Sequence, residues 1–189
     1  KGLTMGGLGQ SGIRADGKLM VWGGSIYNEG GSSVTTLSAP VLMSIEDEFI
    51  VNAVQGWGNI QAITTEGKVY SWGYVVNTTV PVPTRDTNFD TADADGNAVP
   101  TVVTSADSSI MALKADGSVI SVGATANSPE LGRGDTGVLA GTYGSVLAGD
   151  SGSDKTAPIT DVIQISTQGY NTPAIQGKTS FFIKDGGSV

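Results

Sequence analysis

One stretch constrains the fold more than any other: Ala62-Ile63-Thr64-Thr65-Glu66-Gly67-Lys68-Val69-Tyr70-Ser71-Trp72-Gly73. An apolar run, a Glu-Gly turn and a second apolar run closed by Trp-Gly predict a β-hairpin, because glycine enters φ > 0 in the turn without steric cost. The pattern also stands about fifty residues earlier, with Asp16-Gly17 in the turn and Trp22-Gly23 at the close. It stands again about fifty residues later, with Asp116-Gly117 in the turn and Val122-Gly123 at the close. A fourth copy begins at Phe182, and Val189 ends the chain inside it.

A period near fifty residues, built of strands alone, points to a propeller or a β-solenoid. The strand faces separate the options. Val69 and Ser71 oppose Tyr70 and Trp72; Leu19 and Val21 oppose Met20 and Trp22; Val119 and Ser121 oppose Ile120 and Val122. Neither face is charged, whereas a strand with one solvated face alternates polar and apolar. Blades of a propeller are covered on both faces by their neighbours. The expectation is all-β: a β-propeller of about four blades of short antiparallel strands, with a β-sandwich as the alternative. The chain reads as one partial propeller domain, residues 1–189, with repeats at approximately 1–50, 51–100 and 101–160 and a truncated one at 161–189. Residues 24–39, 74–99 and 124–160, rich in Gly, Ser, Thr, Asn and Asp, are read as the long loops.

Composition narrows the function classes. The net charge is −8, and the ten basic residues are scattered singly. Nucleic-acid binding needs clustered Lys and Arg to displace counterions, so no nucleic-acid partner is expected. There is no cysteine and no histidine. Thiolate metal sites, a cysteine nucleophile and the commonest general base are thereby excluded from these residues. No apolar run approaches the length of a membrane-spanning helix, so no membrane insertion is expected.

The repeated hairpin, with its Asp-Gly turn and Trp-Gly close, resembles the repeat of the regulator of chromosome condensation family. Glu130-Leu131-Gly132-Arg133-Gly134-Asp135-Thr136 is similar to that family's Gln-Leu-Gly-x-Gly-Asp-Thr. Gly56-Trp57-Gly58-Asn59 is similar to its Gly-x-x-His segment, with Asn59 where histidine is common. The resemblance implies a propeller, typically of seven blades, which needs about 350 residues. This chain is roughly half that, so a segment of a longer chain, a ring of two copies, or an arc closed by another subunit is expected; starting at Lys1 and stopping within a hairpin favour the first. The departures are Val122 for tryptophan, Gly186 at the turn aspartate of the fourth unit, and the missing histidines.

The repeat residues Asp16, Gly17, Trp22, Gly23, Glu66, Gly67, Trp72, Gly73, Asp116, Gly117, Gly123, Leu131, Gly132, Gly134 and Asp135 are assigned structural roles, with Trp22 and Trp72 in packing between blades. Trp57, flanked by glycines, is the candidate surface contact. Arg133-Gly134-Asp135 spells an integrin-type tripeptide, which the family's turn accounts for on structural grounds. Asp90, Asp93 and Asp95, with Asp86 and Gly96 nearby, are candidate calcium ligands; a solvated acidic loop is the alternative. Asn77-Thr78-Thr79 is a glycosylation sequon only in a eukaryotic secretory setting. No Ser-His-Asp set, P-loop or dinucleotide fingerprint is present, and no catalytic residues are assigned.

These features predict a non-enzymatic structural or protein-interaction propeller, contacting protein partners or its own copies through its loops. Composition places it in a microbial surface, secreted or virion protein. One alternative, implied by the resemblance, is a regulatory propeller that binds a small GTPase as a nucleotide-exchange factor does. The other is a calcium-stabilised adhesion domain.

Overall fold

The computed structural model describes residues 3–5, 9–27, 34–45, 48–56, 58–90, 100–106, 109–126, 129–134, 138–148, 157–172 and 175–186. Within them the chain forms four separate antiparallel sheets in sequence order and no α-helix. Blade one is β1 (Leu3–Met5), β2 (Gly9–Ile13), β3 (Leu19–Tyr27) and β4 (Val34–Met43). Blade two is β5 (Ile50–Gln55), β6 (Asn59–Thr64), β7 (Val69–Val75) and β8 (Thr78–Arg85). Blade three is β9 (Pro100–Ala106), β10 (Ser109–Lys114), β11 (Val119–Gly123) and β12 (Gly144–Ser145). Blade four is the hairpin β13 (Val162–Thr172) and β14 (Ile175–Lys184). Each complete blade is a meander, the arrangement in which sheets stack face to face around an axis.

The repeated turns are one device used three times. Gly17, Gly67 and Gly117 sit at φ 77°, 76° and 81°. Arg14, Thr64 and Lys114 donate their N–H groups to Lys18, Lys68 and Ser118 and accept from Gly17, Gly67 and Gly117. That is a type I turn followed by a left-handed glycine. The aspartates cap it: Asp16 Oδ1 accepts from the Lys18 N–H (3.3 Å) and Asp116 Oδ1 from the Ser118 N–H (2.8 Å). Glu66 is too long for this role. Thr64 Oγ1 replaces it, accepting from the Glu66 and Lys68 N–H groups at 3.2 Å. In the fourth unit Gly186 itself takes φ 92°, so Asp185-Gly186 is the turn dipeptide there.

The same turns tie one blade to the next. The Gly17 carbonyl accepts the N–H of Ile50 (2.9 Å), where β5 begins, and the Gly117 carbonyl accepts the N–H of Val162 (3.1 Å), where β13 begins. At the equivalent point β9 begins with Pro100, which has no N–H to give.

The core lies in the seams between blades. Leu19, Val21, Ile60, Ala62, Tyr70 and Trp72 fill the first. Ile63, Val69, Phe89, Ile110, Ala112 and Val122 fill the second. Met111, Leu113, Val119, Val146, Val162 and Ile165 fill the third. Alternate residues of β6 and β10 therefore point into opposite seams, and both strands are buried along their whole length. This all-β, two-sided burial is the propeller architecture, not a sandwich with solvated outer faces.

Two expectations change. Residues 24–39 are not all loop: β3 runs on to Tyr27 and β4 starts at Val34, because each strand finds its ladder in the other. Residues 74–99 likewise contain β8, which tolerates Pro81 and Pro83 as the outermost strand of its sheet.

Candidate functional site: a cleft between the second and third blades

The β7–β8 ladder breaks register where Ser71 pairs with Thr84 but Gly73 pairs with Val80. Three residues, Pro81-Val82-Pro83, therefore have no paired places on β7, and β8 bows away from β7. A cleft of about 350 Å3 lies here, lined by Ser71, Val75, Val80 and Thr84 of blade two, by Asp86 and Asn88 after β8, and by Gly141 and Tyr143 of blade three. That volume is at the lower end for ligand sites.

Its walls are held from both blades. The Asp86 N–H donates to the Val69 carbonyl (2.8 Å), and the Gly141 N–H to the Gly123 carbonyl (2.8 Å). Asp86 Oδ1 accepts from the Asn88 N–H (3.2 Å) and side-chain amide (3.0 Å). Asp86 Oδ2 accepts the Tyr143 hydroxyl at 2.6 Å. Burial and the adjacent Asp86 carboxylate push the Tyr143 phenol well above its usual range, so it stays a neutral donor. The Tyr143 ring also meets Phe89 edge-on, centroids 5.0 Å apart. At the rim, the Asn77 amide donates to the Ala124 carbonyl at 2.7 Å, joining the β7–β8 turn to blade three. Ser71, only 3% exposed, lines the cleft, and its hydroxyl has no hydrogen-bond partner.

No family model matches the chain, and no curated protein matches it. Solved structures do. Human WBSCR16 superposes with TM-score 0.69 at 20% identity, over 89% of this chain and 42% of its own. Prp20p from Saccharomyces cerevisiae, characterised with its binding to Gsp1p and histones, superposes with TM-score 0.66 at 17% identity, over 97% of this chain and 44% of its own. Yeast RCC1 (Prp20) bound to Kap60 gives TM-score 0.64 at 16% identity, over 98% and 41%. The fold is that of an RCC1-type β-propeller. The chain spans about two fifths of the length of these structures, as part of such a propeller does.

In this RCC1-type arc the repeat residues fall at distinct places. Trp72 is fully buried in the first seam. Trp22 holds the same strand position but lies on the face of blade one turned away from blade two, where it is only half-buried. Gly73 (φ 91°) carries a close approach: a Cβ there would fall 2.2 Å from the Gly58 carbonyl oxygen. Gly23 takes φ 108° in its own strand. Glu66 is exposed and pairs with Lys68 (2.8 Å), which also pairs with Glu48. Lys68 thereby holds the Glu66 carboxyl below its usual range. Leu131 is fully buried, and Gly132 and Gly134 take φ 63° and 88° in the turn that positions it.

Of the three candidate calcium ligands, Asp90 is the one among the described residues. Its carboxylate is bound to the Arg85 guanidinium at 2.6 Å, beside a crease that Lys68 also lines. Lys68 there is paired with Glu48 and Glu66, so the charges of the crease are matched among themselves. Asp86, the other described acid of the set, accepts from Asn88 and Tyr143. Asp93, Asp95, Trp57 and Asp135 lie outside the described residues.

The cleft itself draws on Asn88 and Tyr143, which the sequence did not mark, and on Asp86, which it marked only beside the candidate calcium ligands. Asp86, Asn88 and Tyr143 belong to no repeat motif, and Asp86 meets Tyr143 only because the blades pack. One signal was present. Ser71 and Ser121 are fifty positions apart, and only the later one is followed by Leu-Gly-x-Gly.

Proposed function

We propose that this arc is a protein-interaction module that binds through the cleft between blades two and three and the loops around it. The observation that carries the reading is the cleft, where Val75, Val76 and Val80 stand beside an unpartnered buried hydroxyl and a fixed carboxylate and amide. Such a combination of apolar surface and a few placed polar groups suits recognition. The net charge of −8 favours a basic protein surface over nucleic acid. A surface, secreted or virion setting rests on composition alone. The reading is tested by placing a photo-crosslinking residue at Thr84 on the rim, with Ala115 in the remote hairpin turn as control. Adducts to a partner formed from Thr84 and not from Ala115 support it. Equal adducts from both positions, or none, overturn it.

The regulatory alternative takes its motive from the shared fold, since Prp20p is described with its binding to Gsp1p. A nucleotide-release assay separates the two. Accelerated release from a small GTPase establishes exchange activity; unchanged release leaves the interaction module.

A further inference from the structure

Ser71 and Ser121 occupy the same position in successive blades. Ser71 pairs with Gln61 across β6–β7, and Ser121 with Met111 across β10–β11. Both are buried and both face the next seam. Their hydroxyls have different fates. Ser121 Oγ donates to the Leu131 carbonyl at 2.8 Å. The Leu131 side chain is fully buried against Gly123, where a Cβ would fall 3.0 Å from Leu131 Cδ2. The flanking carbonyls are used as well. Glu130 accepts the Ser180 hydroxyl from blade four (2.9 Å), and Gly132 accepts the Leu147 N–H (2.7 Å). Glu130-Leu131-Gly132 is thus a plug, inserted where blade three faces blade four.

Blade two has no such segment. β7 turns through Val76-Asn77, both in the left-handed region, directly into β8. At the plug's position it has the cleft, with the Ser71 hydroxyl unpartnered. Blade one has Val21 at this position, and its unpartnered buried hydroxyl is that of Ser11 on the paired strand β2.

We propose that the blade-two cleft docks a Leu-Gly peptide segment of a partner protein, seated as Leu131-Gly132 is seated in blade three. The leucine carbonyl accepts the Ser71 hydroxyl. Its side chain lies on Val75 and Val80, and the glycine allows the backbone to pass close to the wall, as Gly132 does at φ 63°. Asp86 and Asn88, which line the same cleft, meet the flanking main chain. The proposal rests on the protein-interaction reading and names its ligand.

The test uses the chain's own plug as probe. Acetyl-Pro-Glu-Leu-Gly-Arg-Gly-amide is titrated into the 15N-labelled 189-residue chain. Saturable amide shifts are expected at Ser71, Asp86, Asn88 and Gly141, and none with the peptide carrying aspartate for leucine. Ser71→Ala removes only an unpartnered hydroxyl, so the fold persists while affinity falls about three- to tenfold. Ser71→Leu fills the cleft and abolishes binding, with its unchanged far spectrum reporting the fold. The inference is overturned by absent shifts, by equal affinity in both Ser71 variants, or by shifts confined to Ser121 and Leu131. Saturation by a monosaccharide but not by the peptide also overturns it. Thr84 adducts without peptide binding remove this inference and leave the interaction module standing.

Discussion

A single hydroxyl shows how much of this fold is decided one residue at a time. Removing the Ser121 hydroxyl leaves the buried Leu131 carbonyl without a donor, so Ser121→Ala is expected to cost about 1–3 kcal/mol in urea unfolding. Ser71→Ala at the equivalent position removes a group that bonds to nothing, and its unfolding midpoint is expected to match the parent's. Equal losses in the two variants would contradict the plug geometry. Gly73 offers a backbone counterpart. With φ 91° and the Gly58 oxygen 2.2 Å from a Cβ, Gly73→Ala should cost about 3 kcal/mol or more by the same measurement. Tyr143 adds a pH dependence. Its folded pKa lies above the unfolded value near 10, so the folded state holds the proton more tightly. The stability gained is complete below about pH 10 and is lost as pH rises beyond it. Tyr143→Phe should therefore flatten the alkaline decline of the melting temperature; an unchanged slope would show that Tyr143 is not its source.

At the scale of elements, the seams reward different residues than the repeat pattern implies. Trp72 and Val122 share a repeat position, yet each is fully buried. The first seam fills with the indole. The second packs Val122 in a cluster with Phe89, brought in by the short turn after β8. Trp72→Ala is expected to cost about 3–5 kcal/mol. Val122→Trp, which restores the repeat on paper, is expected to destabilise by about 1–3 kcal/mol through overpacking. A gain from Val122→Trp would show that the second seam has room to spare. This contrast also marks what could be read from the sequence. The hairpins were legible, because Gly17, Gly67 and Gly117 answer to local backbone sterics and the strand faces to a period of two. The long β3 and β4 strands were not, because glycine- and serine-rich segments become strand only when a partner strand satisfies them. The cleft was least legible of all. It arises from a register break on one blade and an aromatic carried by the next, and neither has a local signature.

Across the whole arc, what matters is that both ends present blade faces like those buried inside it. Phe181 and Ile183 on β14 occupy the register positions of Met111 and Leu113 on β10. Inside the arc those positions are 0% and 4% exposed; at blade four they are 49% and 36%. At the other end Leu42 is 47% exposed beside Met20, on the face that also carries the half-buried Trp22. The two ends are the opposite faces of one repeat, so the last blade of one copy can receive the first blade of another as blades receive each other within the chain. A contact of this kind is heterologous: it closes into a ring or grows, according to the rotation it imposes. These 189 residues, produced by themselves, are therefore expected to self-associate with rising concentration in light scattering. Phe181→Asp with Ile183→Asp should hold them monomeric at an unchanged melting temperature, because neither side chain supports a seam within the chain. Association that persists in the double variant would move the contact away from blade four. A fall in melting temperature would instead mean that these side chains support the arc itself, and that its last blade is more than an exposed face awaiting another.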